Sequence, residues 1–388
     1  MTLDHLGIAA TAASRDLFEQ LLASSPYTSE VVETQGVRTV FFGDGGRAGE
    51  APKLELLEST RDDSPIARFL ASKGPGLHHI AFEVRDLEHE MDRVRQLGIR
   101  LLSDTPLPGA DGKQIVFLHP KDTAGVLVEL CQSTRAPREQ LAIPGPNGEL
   151  AAYLSGPSDA PPLVVLHAAL GSTTLETDRL IAHWEKAFRV IALDFSGHGA
   201  SASSNETPTW DTYTNDVTAL IEHLDLRDIR LFGFSMGGGV ALAAAARHSD
   251  RVARVAAHAT NVQWDNEDVD RMAPPMLAAL DNPDGRWATR LAETHGPSWR
   301  DLVHQLVGFT RGLPNTWISD DVLASIRQPA LVSAGDTDRY FDVRHAVHLY
   351  KTLPNAHLWI LPGLDHPIQG VDVPTFAAAI ASHLAPNA

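Results

Sequence analysis

The stretch Gly233-Phe234-Ser235-Met236-Gly237 sets a serine between two glycines, after the apolar run Ile229-Arg230-Leu231-Phe232 and before an Ala-rich segment. A G-x-S-x-G turn between strand and helix bends the backbone sharply enough to hold a hydroxyl at a sheet edge. A serine hydroxyl is a weak nucleophile and needs a base. Gly363-Leu364-Asp365-His366 follows the last strand-like run and supplies an imidazole in His366. Gly335-Asp336-Thr337-Asp338 follows the run before it and offers two carboxylates, either of which can orient that imidazole. Nucleophile, carboxylate and base in this order point to acyl transfer. By contrast, His198 in a Gly-His-Gly turn reads as structural, Asp365 as a solvated loop residue, and the tryptophans of 261–326 mostly as core.

A second set of chemistry-bearing residues comes from an internal repeat. Leu3-Asp4-His5-Leu6-Gly7-Ile8-Ala9 and Leu77-His78-His79-Ile80-Ala81-Phe82 read as equivalent strands. Each is followed by a helical segment, Ala13–Leu22 and Leu87–Leu97, and each copy closes on a strand carrying an acid, Glu55 and Glu129. Both glutamates lie 50 residues after their histidines. Alternate side chains of a strand share a face, so packing the two copies together brings His5, Glu55, His79 and Glu129 to one point. Two imidazoles and two carboxylates suit a divalent ion: Zn, Co, Mn or Ni.

These residues require two kinds of scaffold. At 388 residues the chain is long enough for two or three domains. The polar, proline-bearing stretch near 133–140 marks a linker, giving a metal-binding domain over 1–134 and a hydrolase domain over 139–388. In the second half short apolar runs (163–167, 190–194, 229–234, 329–334, 357–361) alternate with helical stretches such as 211–224 and 238–247. That rhythm predicts a parallel sheet covered on both faces. The segment from about 261 to 326, with Trp264, Met272, Met276, Trp287, Trp299 and Trp317, reads as a helical lid. The net charge of −17, with no basic run, argues against nucleic-acid or membrane-surface partners. A single cysteine, Cys131, excludes an intramolecular disulfide framework. No apolar stretch is long enough for a membrane span, and the start lacks the pattern of a signal peptide. A cytoplasmic protein is expected.

Residues from about 139 onward resemble the α/β-hydrolases, most of all the enol-lactonase and carboxylesterase branch. The matching stretches are Leu166-His167-Ala168-Ala169-Leu170-Gly171, Asp194-Phe195-Ser196-Gly197-His198-Gly199, Gly233–Gly237, Gly335–Asp338 and Gly363–His366. The resemblance implies a Ser235–Asp338–His366 triad, Asp336 lying too close to the strand, with the N–H groups of Ala169 and Met236 as oxyanion hole. This chain departs from the family in carrying His167-Ala168 where His-Gly is usual. The first half resembles methylmalonyl-CoA epimerase of the vicinal-oxygen-chelate (glyoxalase-like) superfamily. The likeness runs through Leu3–Ala9, Leu54–Glu58, Asp63–Ala67, Gly76–Ile80 and Phe117–Leu130. It implies a divalent metal on His5, Glu55, His79 and Glu129, with His78 and His119 not ligands. Some members carry a further Glu where Thr39 stands here.

The fold class expected is therefore α/β and α+β: a tandem βαβββ vicinal-oxygen-chelate domain followed by an α/β-hydrolase domain with a helical lid. The function expected is a serine hydrolase of carboxylic esters or lactones, with thioesters next, joined to a metal-binding epimerase-like domain. One rival makes the first domain an acyl-CoA epimerase or isomerase acting beside the hydrolase. The other makes it a non-catalytic ligand-binding or homodimerisation module.

Overall fold

The computed structural model describes residues 1–22, 26, 28–42, 53–84, 86–133, 138–203, 206–315 and 318–385. Residues 134–137 of the expected linker, and Trp317, lie outside them. The chain divides into two compact units, Met1–Pro137 and Arg138–Ala388.

The first unit runs β1 (Thr2–Ala10), α1 (Ala12–Leu22), β2 (Thr28–Val32), β3 (Val37–Phe42) and β4 (Lys53–Ser59). Helix α2 (Pro65–Lys73) leads into the second copy: β5 (Gly76–Glu83), α3 (Leu87–Gln96), β6 (Leu107–Pro108), β7 (Lys113–Leu118) and β8 (Val128–Ser133). The strand order β2-β3-β4-β1-β5-β8-β7-β6 is a palindrome of the two copies. In each copy the first strand pairs in parallel with the last, Gly7 beside Glu55 and Ala81 beside Glu129. The copies meet where β1 and β5 run antiparallel, with Gly7 opposite His79 and His5 opposite Ala81. Helix α3 forms because Leu87, Met91 and Val94 recur at helical spacing and bury together, and because the Asp86 side chain accepts the His89 N–H at its start.

The second unit holds β9 (Glu139–Gly145), β10 (Gly148–Ser155), β11 (Pro162–Leu166), α4 (Asp178–Trp184), β12 (Arg189–Leu193), α5 (Trp210–His223), β13 (Ile229–Phe234), α6 (Met236–Arg247) and β14 (Val252–His258). Four helices follow, α7 (Asn266–Asp281), α8 (Arg286–His295), α9 (Trp299–Gly312) and α10 (Asp320–Ser325). Then come β15 (Ala330–Gly335), α11 (Val343–Thr352), β16 (Ala356–Leu361) and α12 (Val373–Leu384). The sheet order is β16-β15-β14-β13-β11-β12-β10-β9, parallel from β16 to β12 and antiparallel at the β10–β9 edge. The central strands are unbroken apolar runs because both faces are covered. Leu163 and Val165 bury in one core cluster and Val164 and Leu166 in the other, the strand's two-residue period at work. The expectation for the tryptophans of 261–326 needs a correction: Trp299 is buried, but Trp287 is 41% exposed and is no part of the core. Trp264 is half-buried and meets Phe341 edge to face.

Candidate active site and metal centre

In the second unit the chemistry gathers at the C-terminal ends of the parallel strands, where loops rather than ladder bonds decide side-chain placement. Ser235 leaves β13 with φ 54° and ψ −118°, a conformation costing about 1–3 kcal/mol that surrounding structure must hold. It is held by Ser235 N–H donating to His258 O at 2.9 Å and by Thr260 Oγ1 donating to Ser235 O at 3.0 Å. The flanking glycines are needed for space: a Cβ on Gly233 would lie 2.1 Å from Gly237 O, and one on Gly237 would lie 2.4 Å from Leu166 O. His366, beyond β16, sets Nε2 3.2 Å from Ser235 Oγ and Nδ1 2.8 Å from Asp338 Oδ2. The rings of Phe234, Tyr340 and Phe341 surround that imidazole.

The two candidate carboxylates separate cleanly. Asp338 faces His366 and also accepts the N–H groups of Tyr340 and Phe341, whereas Asp336 turns away to accept the Gly363 N–H at 2.6 Å. Asp365 is more than a solvated loop residue: it ion-pairs with Arg339 and accepts the N–H groups of Arg339 and His366. His198 is fully buried, with Nδ1 donating to Ser196 O at 3.1 Å, in keeping with a structural part. Met236 N–H opens α6, where no preceding turn supplies an acceptor. Ala169 N–H has no acceptor among the described residues, whereas the N–H and the carbonyl of Ala168 beside it are both engaged.

In the first unit His5 and His79 are 5% and 3% exposed, and Glu55 and Glu129 are each 4% exposed. The two Nε2 atoms lie 2.9 Å apart. Glu55 Oε2 is 3.2 Å from that of His5 and 3.4 Å from that of His79, while Glu129 oxygens lie 3.9 and 3.6 Å from the same two atoms. His5, His79 and Glu129 present donors within 4.8 Å of one another. All four residues line a cavity of about 290 Å³. Glu55 Oε2 is buried without a hydrogen-bond partner. A buried carboxylate oxygen lacking a donor, beside two imidazole nitrogens and a second carboxylate, fits a divalent ion.

Neighbours that the sequence pattern did not single out fix these donors. Asp4 Oδ2 holds His5 Nδ1 at 2.6 Å, and Lys113 Nζ holds Asp4 Oδ1 at 2.5 Å. His78 stands behind His79, their Nδ1 atoms 3.0 Å apart. His119 instead accepts the Lys121 N–H. Burial disfavours charge on His5, but its bonds to Asp4 and Glu55 prevail and lift it to about 10. Burial likewise raises Glu55, but the two imidazoles beside it bring it down to about 2. Glu129 is pushed up by burial. Thr39 lines the cavity with its hydroxyl donating to Glu30 O, so no carboxylate stands at that point. Asp4 could have been noticed as the acid beside a candidate ligand; Lys113 carries no local signal.

Residues 161–373, more than half of the chain, match the alpha/beta hydrolase fold, and residues 4–117 match the Glyoxalase/Bleomycin resistance protein/Dioxygenase superfamily. The chain therefore belongs to the α/β-hydrolase family of enzymes, and carries at its N-terminus a domain of the glyoxalase superfamily similar to methylmalonyl-CoA epimerase. Over 134 residues it is 42% identical to the mitochondrial methylmalonyl-CoA epimerase of Dictyostelium discoideum, spanning 33% of this chain and 76% of that protein. Over 240 residues it is 27% identical to a non-heme haloperoxidase of Rhodococcus erythropolis, spanning 52% of this chain and 83% of that one. The enol-lactonase structure from Burkholderia xenovorans LB400 shares the second unit's fold with a TM-score of 0.53 at 20% identity, covering 63% of this chain and 99% of that one. No described helix is long and apolar enough to cross a membrane.

Proposed function

We propose that residues 139–388, with a lid over about 261–326, hydrolyse a carboxylic ester or lactone with Ser235 as nucleophile. His366 Nε2 takes the serine proton as the oxygen attacks the carbonyl and returns it to the leaving oxygen. Asp338 keeps Nδ1–H donating, so that Nε2 is the free base, and stabilises the imidazolium. Met236 N–H and Ala169 N–H stabilise the oxyanion. The observation that carries this reading is the Ser235–His366–Asp338 chain of contacts at 3.2 and 2.8 Å. The test is labelling by a fluorophosphonate together with hydrolysis of a panel of esters, lactones and thioesters. Modification of Ser235 alone, and its loss in Ser235→Ala, are expected; labelling at another serine overturns the assignment.

We further propose that residues 1–134 bind one divalent ion, Co, Mn, Ni or Zn, through His5, Glu55, His79 and Glu129. Such an ion, when bound, supplies Lewis acidity toward a substrate carbonyl oxygen. Asp4 orients His5 for that role, and Glu129, whose proton affinity burial raises, is the carboxylate best suited to accept a proton. The likeness to methylmalonyl-CoA epimerase supports acyl-CoA thioesters as this domain's ligands. Exchange of the thioester α-proton in deuterated water tests it; a metal-loaded domain without exchange points to a binding or homodimerisation module. The lone buried Cys131 supports a reducing, cytoplasmic setting.

A further inference from the structure

We propose that Glu176 is the positioning residue of the oxyanion loop, holding the Ala168 peptide so that the next N–H, that of Ala169, is aimed at the substrate oxygen. This rests on the hydrolase reading above. The loop after β11 consists of rigid planar peptide units hinged at Cα atoms. Glu176 Oε2 accepts the Ala168 N–H at 2.8 Å, which fixes the unit joining residues 167 and 168. The following unit contains both Ala168 C=O and Ala169 N–H, which point in opposite directions in a trans peptide. His167 Nε2 accepts the Phe195 N–H at 3.1 Å, so its Nδ1 carries the proton and donates to Ala168 O at 2.7 Å. Drawing that carbonyl to one side turns Ala169 N–H to the other.

A third anchor comes from α8. His295 Nδ1 accepts the Gly199 N–H at 2.9 Å, so its Nε2–H donates to Leu170 O at 3.1 Å. Leu170 has φ +57°, a conformation that a leucine keeps only under such restraint. Both groups of Ala168 and the Leu170 carbonyl are thus engaged, and Ala169 N–H has no acceptor among the described residues. Glu176 is the only acidic side chain among these anchors, and burial raises its carboxyl to about 7. A carboxyl kept in so unfavourable a place suggests that its task is specific: an apolar side chain would leave Ala168 N–H unsatisfied and the loop free to turn.

The test uses the full chain and a small activated ester, p-nitrophenyl butyrate, with a phenylboronic acid as tetrahedral mimic. Losing one oxyanion donor costs roughly 10²–10³ in kcat, and a misaimed donor less. Glu176→Leu is expected to lower kcat about 10- to 100-fold with KM changed less than about twofold, and to weaken the boronate by a similar factor. Glu176→Gln, whose amide oxygen can accept the same N–H, is expected to stay within about threefold of the parent. Glu176→Asp, too short to reach, is expected to follow Glu176→Leu and serves if the leucine variant does not fold. Parental kcat in both Glu176→Leu and Glu176→Asp, or an equal loss in Glu176→Gln, overturns the proposal. Ser235→Ala separates the two claims: if it is inactive while Glu176→Asp is unaffected, only the positioning role falls. If Ser235→Ala still turns over, the hydrolase reading falls and takes this proposal with it.

Discussion

Replacing Gly7 by alanine is expected to empty the proposed metal centre while leaving the sheet intact. Gly7 is the β1 residue opposite His79 on β5. A Cβ built there would lie 2.2 Å from His79 Cε1, 2.5 Å from Nδ1 and 2.6 Å from Nε2. Ordinary carbon contacts begin near 3.5 Å, so the ring must retreat by roughly 1.3 Å. Metal–ligand distances tolerate only about 0.2 Å. The ring has little room to give, because His5, His78 and Phe117 meet it edge to face with centroids 5.1, 5.3 and 5.5 Å away. The β1–β5 register shifts just after Gly7, but Gly7 is not among the residues with positive φ, so alanine introduces no backbone strain. The expected result is a loss of at least about 100-fold in affinity, the upper end of what perturbing a ligand's support costs. Metal content by mass spectrometry and a chelator-competition isotherm read the effect, and far-ultraviolet dichroism checks the sheet. Full occupancy at parental affinity would refute the reasoning, since it would show that His79 is either not a ligand or free to move.

Four further outcomes are expected. Ser235→Ala should abolish ester hydrolysis apart from the residual rate that binding and the oxyanion hole supply, on the order of 10³–10⁴ over water; stopped-flow release of p-nitrophenol measures it. Chelation should leave hydrolysis of a small activated ester nearly unchanged, because serine, imidazole and two N–H groups need no Lewis acid. Metal affinity should rise with pH below about 10, by about tenfold per unit for one displaced proton, because His5 holds that proton in the metal-free site; isotherms at pH 6 and pH 8 test the sign. Finally, the Glu176 carboxyl has a folded value of about 7, above its ordinary one, so its contribution is present at low pH and lost as pH rises through about 7. Glu176→Gln should therefore raise Tm more at pH 8 than at pH 5.

The parts of this molecule legible in the sequence are those whose signal is local. A serine elbow needs a strand, two small residues and a helix within a dozen positions, and the sheet's buried strands are apolar runs of five or six residues. The preference for Asp338 over Asp336 came from the family resemblance and not from any local signal; in the structure Asp338 faces His366 and Asp336 caps Gly363. What could not be read depends on long-range packing. Nothing near Glu176 announces that it will accept the Ala168 N–H, and His295 meets Leu170 O across 125 residues of chain. The exposure of Trp287 was missed because a tryptophan's burial is decided by what packs against its helix, and composition does not contain that.

The repeat shows how far such a pattern reaches. His5 and His79 are 74 residues apart, and so are Glu55 and Glu129, which made four equivalent ligands a natural expectation. The sheet gives them equivalent strands but unequal surroundings. Opposite His79 stands Gly7, and opposite His5 stands Ala81, whose side chain is accommodated. His5 leans on Asp4 and through it on Lys113, whereas the position equivalent to Asp4 is His78. Glu55 has both imidazoles within 3.4 Å and is held ionised, whereas burial favours the proton on Glu129. The two halves therefore make unequal contributions to the proposed site. The first supplies a strongly held imidazole and a permanent anion; the second supplies a closely packed imidazole and a carboxylate able to take up a proton. The acyl-CoA chemistry proposed for this domain requires one group that gains a proton while its neighbours keep their charge, and that proposal draws on the differences between the copies and not on their symmetry.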